Sequence, residues 1–172
     1  MKNTLVLLGY MASGKSAVAR VIATISGLKH IDLDDFISQK EAMSIPNIFK
    51  QKGEIYFRKK ESFYLDEILS QKATIIVSVG GGTPCYGENM ASINQKATSI
   101  FINTPLKILV NRLLSEKTTR PLVADLNDAD LPEFVAKHLF ERMSFYKKAQ
   151  YTIAAADKSP DEIASEIIKL IG

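Results

Sequence analysis

The chain of 172 residues has no tryptophan, one cysteine and two histidines. Cys85 stands alone, so no internal disulfide framework can form, which fits a reducing cytoplasm. His30 and His138 lie far apart without cysteine nearby and read as surface or half-buried polar residues rather than metal ligands. No apolar run reaches the roughly eighteen residues of a membrane-spanning helix. The first residues lead directly into a strand-like segment, without the basic, apolar and small-residue regions of a signal peptide, and none is expected. Charge of one sign is also scarce. Lys and Arg number 22 against 19 Asp and Glu, a net +3, with no basic block and no aromatic–basic interleaving. Such a balance suits anionic small molecules and argues against a nucleic-acid or membrane partner. Internal repeats and low-complexity segments are absent.

What remains is an ordinary globular composition, 46% hydrophobic and 24% charged, long enough for one domain over residues 1–172 with a sizeable core. Strand-like and helix-like segments alternate. Strands are expected at 3–9, 29–33, 73–79, 97–102 and 151–155. Helices are expected at 14–26, 35–41, 46–50, 54–71, 86–94, 105–115, 130–149 and 160–171, with Thr104 as N-cap and Pro105 at the first helical position of the 105–115 segment. Short apolar strands separated by helices predict a parallel sheet covered on both faces. Two segments interrupt the alternation. Residues 34–60 are long enough for a substrate-binding subdomain, and the polar, irregular 116–127 for a lid.

Gly9-Tyr-Met-Ala-Ser-Gly-Lys-Ser16 is a phosphate-binding loop between a strand and a helix. Backbone N–H groups at a helix N-terminus favour a phosphate chain. Ala12, Ser13, Gly14, Lys15, Ser16 and Ala17 are therefore expected to cradle the phosphates of a nucleotide. Lys15 reaches the outer phosphates and Ser16 holds magnesium. The bland alternative is a tight turn that matches the pattern by chance.

Asp32 and Asp34 are read as the end of the second strand, where a period of two puts both carboxylates on one side. One suits a magnesium shell and the other a substrate hydroxyl. The alternative is simple helix capping. Arg58 either pairs with Glu54 on a helix surface or points inward to grip a carboxylate. Gly80-Gly81-Gly82 has more glycine than a turn needs, which suggests close backbone approach to a ligand or to magnesium-bound water. Arg120, in Thr119-Arg120-Pro121-Leu122, reads as a loop arginine able to meet a transferring phosphoryl group. By spacing alone, Arg142 is one more helix arginine.

Together these motifs resemble the shikimate kinase family over nearly the whole chain: the loop at 9–16, Asp-Leu-Asp at 32–34, Phe57-Arg58 with Glu61, Gly-Gly-Gly-Thr at 80–83, Arg120-Pro121-Leu122, and Arg142 with Tyr146. The resemblance implies a P-loop, nucleoside-monophosphate-kinase-like α/β fold with a five-stranded sheet of order 2-3-1-4-5. It implies ATP-dependent phosphorylation of the 3-hydroxyl of shikimate in chorismate and aromatic amino-acid synthesis, with magnesium as cofactor and shikimate and ATP as small-molecule partners. By that similarity the nucleotide held by Ala12, Ser13, Gly14, Lys15, Ser16 and Ala17 is ATP, Asp34 binds shikimate hydroxyls and serves as base, and Asp32 supports the magnesium that Ser16 ligates. Arg58 and Arg142 hold the carboxylate, Gly80, Gly81 and Gly82 line the acceptor, and Lys15 and Arg120 act on the transferring phosphate. A cytoplasmic monomer is the expectation.

Two departures stand out. The family loop commonly carries glycine where this chain has Ala12, which is harmless if that position takes a negative φ. The family arginine along adenine matches Arg112 only with a one-residue slip, and Lys158 is a second candidate. Alternatives are a P-loop kinase for gluconate or a nucleoside monophosphate, a GTPase-like switch, for which no Asn-Lys-x-Asp signature exists, and a basic nucleic-acid module, against which the weak charge argues.

Overall fold

A computed structural model describes residues 4–116 and 121–171. In chain order it forms β1 (Thr4–Leu8), α1 (Lys15–Ser26), β2 (Lys29–Asp32), α2 (Leu33–Glu41), α3 (Ile45–Leu69), β3 (Ile75–Ser78), a 3-10 turn (Thr83–Cys85), α4 (Asn89–Lys96) and β4 (Thr98–Asn103). There follow α5 (Leu106–Glu116), α6 (Pro121–Ala124), α7 (Leu131–Tyr146), β5 (Tyr151–Ala154) and α8 (Pro160–Ile171).

The strands form one parallel sheet in the order β2-β3-β1-β4-β5. Period two divides its side chains between two cores. Val6, Leu8, Ile31, Ile75, Val77 and Phe101 point to the face covered by α2, α3, α4, α5 and α7. Leu5, Leu7, Ile76, Ile100, Ile102 and Ile153 point to the face covered by α1 and α8. All five residues of β1 are buried, as a central strand of a doubly covered sheet requires. Because the strands are parallel, their C-terminal ends share one rim, where α/β sheets place ligands.

Local structure differs from the sequence reading in four places. β2 ends at Asp32 and α2 starts at Leu33, so the period-two argument for Asp32 and Asp34 does not hold. Asp32 is the N-cap of α2, and its carboxylate accepts from the Asp34 N–H at 3.1 Å. The two expected helices at 46–50 and 54–71 form one element, α3, bent at Gly53 (φ 82°, ψ 170°), the only non-helical residue inside it. Thr104 does not cap α5: the helix begins at Leu106, so Pro105 rather than Thr104 precedes it, its carbonyl accepting from the Ile108 and Leu109 N–H groups, while the buried Thr104 hydroxyl donates to the Ser13 carbonyl at 3.2 Å and ties β4 to the phosphate loop. Within 116–127, expected to be irregular throughout, Pro121–Ala124 is a short helix that buries Val123, with Pro121 at its start, where a missing N–H costs nothing.

Candidate active site

The loop between β1 and α1 is shaped by two glycines and fastened by neighbours. Gly9 has φ +150°, and a Cβ there would lie 2.8 Å from the Ile102 carbonyl of β4. Gly14 has φ +91° and forms the N-cap of α1, its carbonyl accepting from Val18 N–H at 3.0 Å. The Lys15 ammonium donates to the carbonyls of Gly9 (3.0 Å) and Tyr10 (2.8 Å), which holds it inside the loop. From α5, Arg112 Nη1 donates to the Ala12 carbonyl at 3.0 Å, so this arginine does belong to the surroundings of the loop. Lys158 instead pairs with Glu166 of α8 at 2.5 Å. Ala12 has φ +60°, contrary to the negative angle that would make alanine harmless there. A Cβ in this left-handed region costs roughly 1–2 kcal/mol.

Ser16, at the start of α1, donates its hydroxyl to Asp32 Oδ2 at 2.8 Å. Ser78, at the end of β3, donates to the same oxygen at 2.7 Å, and His30 Nε2 lies 2.9 Å from Ser78 Oγ. With the serine proton spent on Asp32, the imidazole is the donor in that contact. His30 is thus the outer member of a chain that orients Asp32, and burial holds its pKa below the usual histidine value. One hydroxyl and one carboxylate are hard oxygen donors of the kind magnesium takes together with phosphate oxygens and water. Among the described residues no group of three His, Cys, Asp or Glu side chains could hold a metal by itself.

The second half of the site surrounds the triple glycine after β3. None of the three glycines has a positive φ, so their use is space rather than a special turn. A Cβ on Gly80 would meet Thr83 Oγ1 at 3.1 Å, Asp34 Oδ1 at 3.4 Å and Glu61 Oε1 at 3.5 Å. On Gly81 it would meet Arg142 Nη1 at 3.3 Å, and on Gly82 Arg58 Nη2 and Nη1 at 2.8 and 2.9 Å. The bare backbone therefore lets Asp34 from α2, Arg58 from α3 and Arg142 from α7 close around one segment.

Each of these groups has a support. Glu61 is 1% exposed; it accepts from Arg58 Nη1 at 2.8 Å and from Thr83 Oγ1 at 2.6 Å. Arg58 also reaches Glu54 at 3.5 Å, so the surface pair and the inward orientation coexist. Tyr146 donates to the Gly81 carbonyl at 2.7 Å, and Tyr10 bonds His138 Nδ1 at 2.9 Å beneath the Arg142 guanidinium, whose carbon is 5.9 Å from the Tyr10 ring centre. Asp34 is raised from 3.8 to about 6 by burial first and then by the negative charges of Asp32 and Glu61, against the pull of Lys15.

The structure thus brings Lys15 and Ser16 of the phosphate loop, Asp32, Arg112, and the Asp34, Arg58 and Arg142 group at Gly80–Gly82 to one rim of the sheet, and Arg120 lies outside the described residues. Sequence reasoning missed the supports: Glu61 as the buried partner of Arg58, Ser78 and His30 behind Asp32, and Tyr10 with His138. Only Glu61 left a trace, three residues beyond Arg58 on the same helix face.

The family model described as shikimate kinase matches residues 11–172. Shikimate kinase of Flavobacterium psychrophilum is 40% identical over 168 residues, covering 97% of this chain and 98% of that protein. That of Sulfurihydrogenibium sp. is 36% identical over 172 residues, covering 99% and 98%. Among solved structures, shikimate kinase from Bacteroides thetaiotaomicron superposes with a TM-score of 0.92 at 29% identity, covering 98% of this chain and 97% of that one. Shikimate kinase from Acinetobacter baumannii, solved in complex with shikimate, gives 0.89 at 28%, covering 98% and 92%. With a phosphate loop facing an Asp–Arg–Arg cluster and this similarity along nearly its whole length, the chain belongs to the shikimate kinase family.

Proposed function

We propose that this chain transfers the γ-phosphoryl group of ATP to the 3-hydroxyl of shikimate, with the roles assigned as follows. The observation that carries the reading is the convergence of Arg58 and Arg142 on Gly81 and Gly82, beside Asp34 at Gly80. Two guanidiniums from different helices suit one carboxylate, and Asp34 suits the hydroxyls of the same acceptor. At neutral pH a carboxyl with a pKa of about 6 is mostly ionised and can take the hydroxyl proton. The hydroxyl oxygen bonds the γ-phosphorus, the bond from that phosphorus to the β–γ bridging oxygen breaks, and the proton passes to Asp34. The transition state is loose, so holding the oxygen in line matters as much as removing its proton.

Backbone N–H groups of residues 12–17 and the Lys15 ammonium bind the phosphate chain, with Arg112 beside the loop on the nucleotide side. Ser16 Oγ and the Asp32 carboxylate are the groups that would hold magnesium, which neutralises charge on the β- and γ-phosphate oxygens. On this reading α2 and the first part of α3 form the acceptor-binding subdomain of one kinase domain, and 116–127 form the lid that brings Arg120 to the phosphate. All groups come from one chain, which suits a monomer, and the lone Cys85 suits a cytoplasmic setting.

Purified protein with ATP and magnesium is offered shikimate, gluconate and AMP in parallel, and ADP release is followed. Shikimate alone should stimulate it strongly. No stimulation by shikimate, with turnover on another acceptor, overturns the assignment.

A further inference from the structure

A second buried carboxylate lies outside the cluster around Asp34. Glu41 is the last residue of α2, and its side chain is 6% exposed. Four groups of α3 converge on it. Oε2 accepts from Tyr56 Oη at 2.5 Å and meets Lys52 Nζ at 3.4 Å. Oε1 accepts from Tyr64 Oη at 2.7 Å and meets Lys60 Nζ at 3.1 Å. The lysines also lie over the tyrosines: Lys52 Nζ is 4.5 Å from the Tyr56 ring centre, and Lys60 Nζ is 5.5 Å from that of Tyr64.

The position of the bend gives this hub its meaning. Lys52 precedes Gly53, while Tyr56, Lys60 and Tyr64 follow it. One carboxylate therefore holds both arms of a bent helix. The bend is not stiff on its own account, since Gly53 has space around it and a backbone conformation that essentially only glycine adopts. Meanwhile Asp34 is in the first turn of α2, and Arg58 is on α3 within the stretch spanned by Tyr56 and Lys60. A further polar tie between the helices, Lys40 to Glu67 at 2.7 Å, is exposed on both sides and correspondingly weak.

We propose that Glu41 is a positioning residue for the acceptor: by clamping both arms of α3 to the end of α2, it sets the placement of Asp34 relative to Arg58. The inference rests on the reading of those two residues as acceptor ligands. Its leverage is geometric. Asp34 and Glu41 are separated by seven residues of helix, about 10 Å, so a tilt of α2 by about 5° displaces Asp34 by about 1 Å. A misplacement of that size is enough to cost up to ~10²-fold in rate. Hydrogen bonds from Tyr56 and Tyr64 lower the Glu41 pKa to about 2, so the clamp is charged throughout the working pH range.

The test uses the full chain with Glu41→Ala, Glu41→Gln and Lys52→Met. Steady-state constants for shikimate and ATP are measured well below each melting temperature. Glu41→Ala should raise KM for shikimate ~10-fold or more while KM for ATP stays within about twofold. Glu41→Gln keeps an oxygen for Tyr64 and should recover most of that loss. Lys52→Met should raise KM for shikimate ~3-fold with an unchanged melting temperature. If both KM values rise together, or the melting temperature alone falls, Glu41 is merely structural. A measurement independent of the acceptor accompanies these. Spin labels at Gln39→Cys and Lys59→Cys, with Cys85→Ser, should give a distance distribution that broadens or shifts in Glu41→Ala. An unchanged distribution overturns the proposal even if the wild type proves inactive on shikimate, whereas that inactivity alone counts only against the acceptor assignment.

Discussion

Replacing Asp34 by asparagine should make the protein more stable and less active at neutral pH. The ionised carboxylate sits in a half-buried position beside two other negative groups, Asp32 and Glu61, which is why its pKa rises from 3.8 to about 6. A raised carboxyl pKa means the folded chain binds the proton more tightly than the unfolded chain. The stabilisation that Asp34 contributes is complete below pH ~4 and is lost as pH rises through about 6. Two pKa units at 1.36 kcal/mol each put the cost of the charge near 3 kcal/mol at pH 7. Asparagine has nearly the same shape and no charge to bury, so about 1–3 kcal/mol should be recovered at pH 7–8, roughly 3–10 °C in melting temperature for a chain of this size. At pH 4 wild-type Asp34 is protonated as well, and the two proteins should melt nearly together. The assay is thermal and urea unfolding by circular dichroism at pH 4, 5, 6, 7 and 8 without nucleotide, with kcat measured alongside. Turnover should fall at least ~10²-fold, the usual scale for loss of a base. A stability difference that is flat with pH, or an asparagine variant that is weaker at pH 7, would refute the electrostatic reasoning. Near-normal turnover would remove Asp34 from the base role.

Gly82→Ala places a Cβ 2.8 Å from Arg58 Nη2, so the guanidinium must move while Glu61 holds it from the other side. Initial-rate kinetics should show KM for shikimate raised ~10-fold or more and KM for ATP unchanged, a selective loss of acceptor binding. Ala12→Gly relieves the positive φ of the phosphate loop, a gain of roughly 1–2 kcal/mol, partly offset by about 0.4–1 kcal/mol of extra freedom in the unfolded chain. A thermal melt should therefore rise by ~1–3 °C, with KM for ATP unchanged or lower; a fall in melting temperature would show that the alanine is not strained.

Much of the architecture could be read in advance because it depends on neighbours in the chain. Thr4 to Leu8 and Ile75 to Val77 are apolar runs of strand length, and Gly53 separates two helical stretches that the structure joins at a bend. The start of α2 could not be read the same way. Asp-Leu-Asp fits the end of a strand and the cap of a helix equally well, and the cap prevails because Leu33 is buried as the first helical residue while Asp32 accepts the Asp34 N–H. Thr104 likewise looked like a cap, but α5 begins at Leu106, and the Pro105 carbonyl accepts the first-turn N–H groups of Ile108 and Leu109, which leaves Thr104 one residue outside the cap position.

By itself the sequence determined the phosphate loop, the alternation that produces a parallel sheet, and the residue types from which a carboxylate-bearing alcohol can be recognised. These are local properties: backbone N–H groups in a nest, side-chain period, and the chemistry of individual groups. Tertiary structure alone decided that Arg58 and Arg142 meet the same glycine run, that Asp34 is lifted to about 6, that Ala12 is held at positive φ, and that Glu41 grips both arms of α3. Each of those outcomes depends on distance and dielectric between groups that only the fold brings together, which spacing along a sequence does not encode.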